Sequence, residues 1–546
     1  MNLFIKIVLA LLAGFTPFAF AGAEPWAFSV VQTGIIACAV LWLLNAREVC
    51  CLTKLSKPVI FIFSFLVFLG LVQMYFSQTL LDSVPHYPIS LMPLFTAENL
   101  SVFITYTTLS LLIMQVFSSQ DSMKPFLYWL AFCFLAVAIC TTCFSNGEYI
   151  RYFTGMRLGI GPFLNRNHAA VFLAMGALTM LGLIFAGYIN PDKHHLHREQ
   201  RQRFYVEQTC GWVIFIALAG STIFTRSRGG AMALLCGVFC FAFLAVWYLP
   251  KSSKTKIKGT LITSAALAGV IYWITTHIAF INAFAFRSQD TSSEIRLMLY
   301  ESATHLLEQY PLWGIGIGAL PVALPAYMAY PLNRYVEHLH NDWLEIILGV
   351  GYVGIIPVIC AIGYFIYLAL GRLKHLPRHK TPIFLAAFCA LITMGVGSLV
   401  DFHFFITANA LFFFIFLGVM CLPTYDKHRL SCFKIPYLVR LLLVVLLLAT
   451  LYVPFQKTMA WRSSLFGQGL KQEAKLAQYH AALAYYPAPR TAVQLGNAYF
   501  NASLRAPTPE QAAQYRQQAF EIARTYLMRY PKEPALSQLY VRTRPQ

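Results

Sequence analysis

The sequence predicts an all-α polytopic membrane protein, and three observations carry that prediction. Hydrophobic residues make up 58% of the 546 positions and charged residues only 12%, at a mean hydropathy of +0.61, which excludes a water-soluble globule. Apolar runs long enough to cross a bilayer, about 20 residues each, recur along most of the chain. Loops rich in Lys and Arg alternate with loops poor in them.

Read in order by length and apolarity, the spans fall at Leu3–Ala21, Ala27–Leu44, Pro58–Phe76, Ser101–Phe117 and Phe126–Phe144. They continue at Ala169–Ile189, Gln208–Phe224, Gly229–Leu249 and Thr260–Ile281. The last four are Trp343–Leu370, Pro382–Val400, Ile406–Leu422 and Tyr437–Val453. The count is about 12–13 transmembrane helices by the length rule. Lys6, the apolar run after it and Ala19-Phe-Ala21 also fit a cleavable signal peptide. An uncleaved first helix is the better reading because many spans follow, and the topology beyond Gly22 is the same either way.

Charge sets the orientation. Arg47, Lys54 and Lys57 share a face with Lys193, Arg198, Arg201 and Arg203, and with Lys251, Lys254, Lys256 and Lys258. Arg372, Lys374, Arg378 and Lys380 follow on the same face, then Lys427, Arg429 and Lys434. The positive-inside rule makes that face cytoplasmic. The net charge of +19 is therefore largely a topology signal and an attraction to anionic membrane lipid, and nothing points to nucleic acid.

The thirteen cysteines are scattered between Cys38 and Cys432, mostly in or beside apolar spans, so no disulfide framework is expected. No Cys/His spacing reads as a zinc site. His194-His195-Leu-His197 reads as a solvated basic loop, and Cys50-Cys51 sits beside another such loop.

After Tyr452-Val-Pro454 the hydrophobicity stops. The chain divides into a membrane domain, 1–455, with a long outer loop over 282–341, and a smaller α-helical domain, 456–546. Helical periodicity covers Ala474–Tyr486, Thr491–Leu504 and Glu510–Tyr530, with Pro487, Pro489, Pro507, Pro509 and Pro531 at the breaks. Leu495-Gly496-x-x-Tyr499 followed by Ala519 and Ala523 resembles a degenerate tetratricopeptide repeat. By span count this segment lies outside the cytoplasm, where it would bind a partner or cap the membrane domain.

Four polar constellations on the outer face are candidates for chemistry. Asn165-Arg166-Asn167-His168 opens the sixth span, where the plain alternative is a turn with Asn167 capping the helix and Arg166 reaching for head groups. Thr225-Arg226-Ser227-Arg228-Gly229-Gly230 is a very short hairpin. Its fixed guanidinium groups suit bidentate phosphate recognition or simple anchoring on lipid phosphates, and its glycines allow close backbone approach.

The outer loop holds a capping box, Thr291-x-x-Glu294, that starts an amphipathic helix ending before Pro311, with Arg296 in its first turn. A glycine-rich turn, Pro311–Gly318, follows, and then Tyr327, Tyr330 and Tyr335. No strand precedes those glycines and no Lys-Ser/Thr follows, so they are not a nucleotide loop. His338, His340 and Asn341 close the loop where a long polar segment re-enters an apolar helix. Asp401-Phe-His403 sits between two later spans, where the carboxylate either orients another residue or caps a helix.

His340-Asn341, nine residues, then Gly351-x-x-Gly354 resembles the motif of the O-antigen ligase family of bacterial membrane glycosyltransferases. That family also includes O-antigen polymerases and protein O-oligosaccharyltransferases. Arg228, Arg296 and the Pro311–Gly318 turn follow in the family's order, and the likeness runs from about Gly159 to Gly418. The C-terminal helical segment departs from the common ligase pattern, which leaves the acceptor open.

The resemblance implies a membrane glycosyltransferase C type fold at the bacterial inner membrane, with the active site on the periplasmic side. It also implies a polyprenyl-diphosphate-linked glycan donor, and an acceptor that is a lipid A core sugar, another glycan or a protein hydroxyl. Neither metal nor other cofactor is implied. In that chemistry Arg228 and Arg296, with Arg226 behind them, would stabilise the leaving diphosphate. His340 would take the acceptor proton, and Asn341 would orient a neighbour or contact the donor. Asn165, Asn167, His168, His338 and Asp401 would support them. The rival class is a transporter or flippase of lipid-linked glycans. The nearly charge-free span interiors weigh against it, because transport sites lie near the midplane. A scaffold built on the C-terminal helices is a poorer third reading.

Overall fold

The computed structural model describes all residues except 46–48, 77–86, 118–119, 155–157, 190–196, 250–257, 260, 264, 266–290, 330–335, 424–430, 531–532 and 545–546. Most of the expected span Thr260–Ile281 lies outside the described residues. So do Arg47, Lys193, His194, His195, Lys251, Lys254, Lys256, Asn282, Tyr330, Tyr335, Lys427, Arg429, Pro531, Gln546 and the side chain of Thr291.

Among the described residues the chain is a bundle of helices with one short strand pair. The first part contains α1 (Asn2–Phe18), α2 (Pro25–Leu44), β1 (Cys50–Leu52), α3 (Ser56–Tyr75), α4 (Pro93–Val116), α5 (Gln120–Cys143) and α6 (Glu148–Thr154). Next come α7 (Arg166–Ile189), α8 (Arg198–Phe224), α9 (Arg228–Tyr248), α10 (Thr291–Gln309), α11 (Leu320–Ala323), α12 (Asp342–Leu373), α13 (Thr381–Gly397) and α14 (Thr407–Cys421). After β2 (Ser431–Phe433) the chain ends in α15 (Tyr437–Ala449), α16 (Tyr452–Gly467), α17 (Gln472–Tyr485), α18 (Pro489–Ser503), α19 (Pro509–Arg529) and α20 (Pro534–Thr543).

Nine helical segments among the described residues are long and apolar enough to cross a membrane, counting Tyr437–Gly467 as one, and α1, α13 and α14 are shorter apolar helices. The protein is an all-α polytopic membrane protein. Two helices outrun their expected spans, because hydropathy detects the apolar stretch and not the helix. α4 begins at Pro93, ahead of Ser101, and buries Thr96, whose hydroxyl donates to Ile317 O at 2.7 Å. α8 begins at Arg198, ahead of Gln208, and His197 N–H donates to Gln200 Oε1 at 3.0 Å to close its first turn.

The centre of the bundle is α7, apolar on every face and buried along most of its length. Small residues let its neighbours close in: a Cβ on Gly176 would meet the Phe134 ring at 2.5 Å, and one on Gly182 would meet Ala386 Cβ at 2.4 Å. α9 docks the same way, since a Cβ on Gly230 would lie 2.2 Å from Ala170 Cβ.

At one end of the bundle the basic loops gather. Arg372 donates to Met420 O at 2.8 Å and also to Leu422 O, while Arg440 donates to Asn45 O at 3.0 Å. These guanidinium groups therefore cap helix C-termini. At the same end β1 pairs antiparallel with β2, and Cys51 is disulfide-bonded to Cys432 opposite it. The sequence led us to expect no disulfide. The two cysteines are 381 residues apart and meet only because their loops fold onto one face.

α12 is not one straight span. Gly351 (φ 63°, ψ −173°) breaks it into a short segment, 342–350, and a long one. The Pro311–Gly318 turn inserts its backbone into the break. Ile315 N–H donates to Leu348 O at 2.9 Å, and Tyr352 N–H to Pro311 O at 2.8 Å. Fully buried Gln73 on α3 completes the joint, donating to Trp313 O and Gly349 O, both at 2.9 Å. Leu348 O, Gly349 O, Tyr352 N–H and Val353 N–H, at the break, are thus satisfied inside the bundle.

The C-terminal helices match the sequence expectation to within a few residues. Pro489 and Pro509 start helices at the first-turn position where proline fits, and α20 adds a helix the periodicity did not announce. Leu495, Gly496, Tyr499, Ala519 and Ala523 are buried. A separate hydrophobic cluster joins Met298, Leu299, Ala303 and Leu306 of α10 and Leu339 to Tyr486, Ala488, Ala492, Tyr530 and Leu536 of the C-terminal segment. Arg490 is ion-paired with Glu337, and Glu98 of α4 takes Lys457 and the Tyr486 hydroxyl.

Candidate active site

At the end of the bundle away from the basic loops, five elements deliver polar side chains to one point. The loop between α13 and α14 carries Asp401, whose side chain is 1% exposed. Its Oδ1 lies 2.7 Å from His340 Nδ1 and accepts the Phe402 N–H at 3.0 Å. Its Oδ2 accepts from Asn167 Nδ2 at 2.6 Å and faces an Arg296 nitrogen at 3.6 Å. His168 Nε2 approaches Oδ1 at 3.6 Å, an electrostatic contact beyond hydrogen-bond range. Burial alone would favour the neutral acid. His168 and His340 outweigh it and hold the Asp401 carboxyl well below the usual carboxylate range.

An ionised carboxylate only accepts hydrogen bonds, so His340 must present Nδ1 as N–H. The neutral ring then keeps its lone pair on Nε2, and the His340 side chain is 31% exposed. The backbone is set to make this possible. His340 sits at φ +56°, a left-handed conformation uncommon for a residue with a side chain, and its carbonyl accepts the Tyr300 hydroxyl at 2.9 Å. Phe402 packs edge-on to both His168 and His340, with ring centroids at 4.7 and 4.9 Å.

Asn167 extends the network. Its Oδ1 accepts from Ser227 Oγ at 2.8 Å, and Ser227 Oγ accepts the Gly230 N–H at 3.1 Å to cap α9. The arginine hairpin is thereby tied to Asp401 through two side chains. Arg226 (φ +57°) and Arg228 flank Ser227, and both side chains are exposed.

The remaining candidate residues each have contacts of their own. Asn165 caps α7 by accepting the Asn167 N–H at 2.9 Å, which frees the Asn167 side chain for Asp401 and Ser227. Asn341 caps α12, its Oδ1 accepting the Leu344 N–H at 3.1 Å. His338 turns away from Asp401. Its Nδ1 lies 3.0 Å from Glu345 Oε1, and its ring lies against Phe402 and Phe405. Burial disfavours a charge on His338, but Glu345 more than compensates and raises its pKa. His403 is pushed down to about 3 by burial and by His168, and Asn409 lies 3.2 Å from its Nδ1. It is a neutral packing residue.

Sequence reasoning missed Ser227, Tyr300, Asp342 and Glu345. Tyr300 follows Arg296 at the i+4 spacing that shares a helix face, and Ser227 stands at a helix N-cap position; both signals were readable.

Residues 213–359 match the sequence model of the family described as O-antigen ligase. This stretch is an O-antigen ligase family domain. It contains Arg226, Arg228, Arg296, His338, His340 and Asn341, whereas Asn165, Asn167, His168 and Asp401 lie beyond it. Four of these ten residues therefore come from segments flanking the O-antigen ligase domain. The family connects the chain with glycan transfer in surface-polysaccharide assembly. No curated protein sequence matches the chain.

Proposed function

We propose that the chain transfers a glycan from a polyprenyl-diphosphate-linked donor to an acceptor hydroxyl at the periplasmic face of the bacterial inner membrane. The observation that carries this reading is the His340–Asp401 pair at 2.7 Å, with Arg296 beside it at the ends of membrane helices. His340 Nε2 takes the acceptor proton while the acceptor oxygen attacks the anomeric carbon. The bond from that carbon to the diphosphate oxygen breaks, and the diphosphate leaves with the electron pair. Asp401 stabilises the imidazolium that forms, as an orienting carboxylate does in hydrolytic triads. Arg228 and Arg296, with Arg226, stabilise the leaving charge. Arg296 can serve both ends, because a guanidinium with one edge towards Asp401 keeps further N–H groups for phosphate.

The acceptor is a lipid A core sugar, a growing glycan or a protein hydroxyl, and product length separates ligase from polymerase. Residues 456–546 form a helical cap over the His340 loop, a role supported by the Arg490–Glu337 pair and the shared apolar cluster.

The test is transfer from a purified lipid-diphosphate donor in proteoliposomes, with EDTA present. His340→Ala and Asp401→Asn should each lose about 10²–10⁴-fold in rate with donor binding retained, while His338→Ala should be milder. EDTA should leave the wild-type rate unchanged. Undiminished transfer by His340→Ala would remove the proposed base.

A further inference from the structure

The contact between His340 and Asp401 joins two loops that are 61 residues apart and have no secondary structure of their own at the contact. One residue makes three hydrogen bonds between those loops. Asp342, the first residue of α12 and 1% exposed, accepts the His403 N–H at 2.7 Å and the Phe404 N–H at 3.2 Å, both on Oδ2. In the other direction its own N–H donates to Ser398 O at 3.0 Å. Phe402 N–H meanwhile donates to Asp401. Three consecutive amides, 402 to 404, therefore point at two carboxylates, one from each loop.

We infer that Asp342 is a positioning residue that holds the Asp401 loop against His340, so that the imidazole keeps the orientation its chemistry needs. Asp342 acts through the backbone of residues 403 and 404. The inference rests on the transfer chemistry proposed above. What Asp342 supplies is an acceptor at a fixed point, and its charge is secondary. Asparagine keeps an acceptor oxygen at that point. Glutamate keeps the charge but moves the acceptor by about 1.5 Å, one carbon–carbon bond.

The experiment compares Asp342→Asn, Asp342→Glu and Asp342→Ala, alone and combined with Asp401→Asn, in the same proteoliposome assay, reading kcat and donor KM separately. A misplacement of about 1 Å costs up to about 100-fold in rate. Asp342→Ala and Asp342→Glu should therefore lose about 10- to 100-fold in kcat with donor KM within about threefold. Asp342→Asn should stay within about fivefold of wild type, on the same reasoning. In the Asp401→Asn background, Asp342→Ala should add less than about twofold, because residues acting as one unit are not additive.

If the alanine variant cannot be purified, the asparagine–glutamate contrast gives the same answer. Equal loss in the Asn and Glu variants would overturn the inference, as would wild-type kcat in Asp342→Glu or a full additive loss on Asp401→Asn. Failure of the underlying chemistry looks different: His340→Ala would then remain active whatever the Asp342 variants do.

Discussion

Asp401 carries a negative charge almost sealed from water, and such a charge persists only where donors replace the lost solvent. Asn167, His340 and the Phe402 amide supply hydrogen bonds, and Arg296 supplies positive charge at 3.6 Å. Arg296 thus has a second duty beside phosphate binding. Removing an arginine from the leaving-group site should cost on the order of 3 kcal/mol, or about a hundredfold in single-turnover rate. Arg296→Ala should lose at least that much, because it also strips a countercharge from Asp401. Lysine at either position should rescue only in part, since it lacks the fork. Wild-type rates in both alanine variants would leave them as lipid anchors. At this scale the sequence displayed each polar motif, because unpaired polar groups at the ends of apolar runs are conspicuous. It could not assign partners: Asn167 read as a helix cap, and that task belongs to Asn165.

The break in α12 shows the same division at the scale of an element. The spacing of His340 to Gly351 was legible, yet the span Trp343–Leu370 read as one continuous helix. Its actual task is to turn the chain. At φ 63° and ψ −173° the backbone is in a region open essentially to glycine alone, and an added Cβ would meet Leu312 O at 2.3 Å. Gly351→Ala should therefore destabilise the protein by about 1–3 kcal/mol or more and slow transfer, because the short segment 342–350 follows directly on His340 and Asn341. Gly363→Ala in the same helix has open space around it and should be neutral or slightly stabilising. Thermal unfolding in detergent, with transfer measured in parallel, checks both. Equal effects at the two positions would count against the break as the cause.

For the whole molecule, the basic loops predict sidedness. A reporter active only in the cytoplasm should work when fused after Lys258 or Lys380, and a fusion after Gln546 should report the opposite side. Arg490 reaching Glu337 ties the C-terminal helices to the face of the His340 loop, so a cytoplasmic C-terminus would put the candidate active site there too.

Composition and hydropathy period are local quantities, summed over about one helix length, and they need no knowledge of neighbours. For that reason the sequence alone determined the all-α membrane class, most of the spans, the basic face and the individual polar motifs. What only the tertiary structure decided depends on which helices lie side by side. Asn167 and Asp401 are 234 residues apart, and the Asp401 side of the cluster lies beyond the O-antigen ligase domain. Cys51 meets Cys432, and Gln73 closes a break in a helix far along the chain. Each of these contacts needs two distant surfaces to meet, as they do at Gly176, Gly182 and Gly230, where the absence of a side chain lets neighbours approach. A close approach is a property of two surfaces at once, and one local stretch of sequence records only one of them.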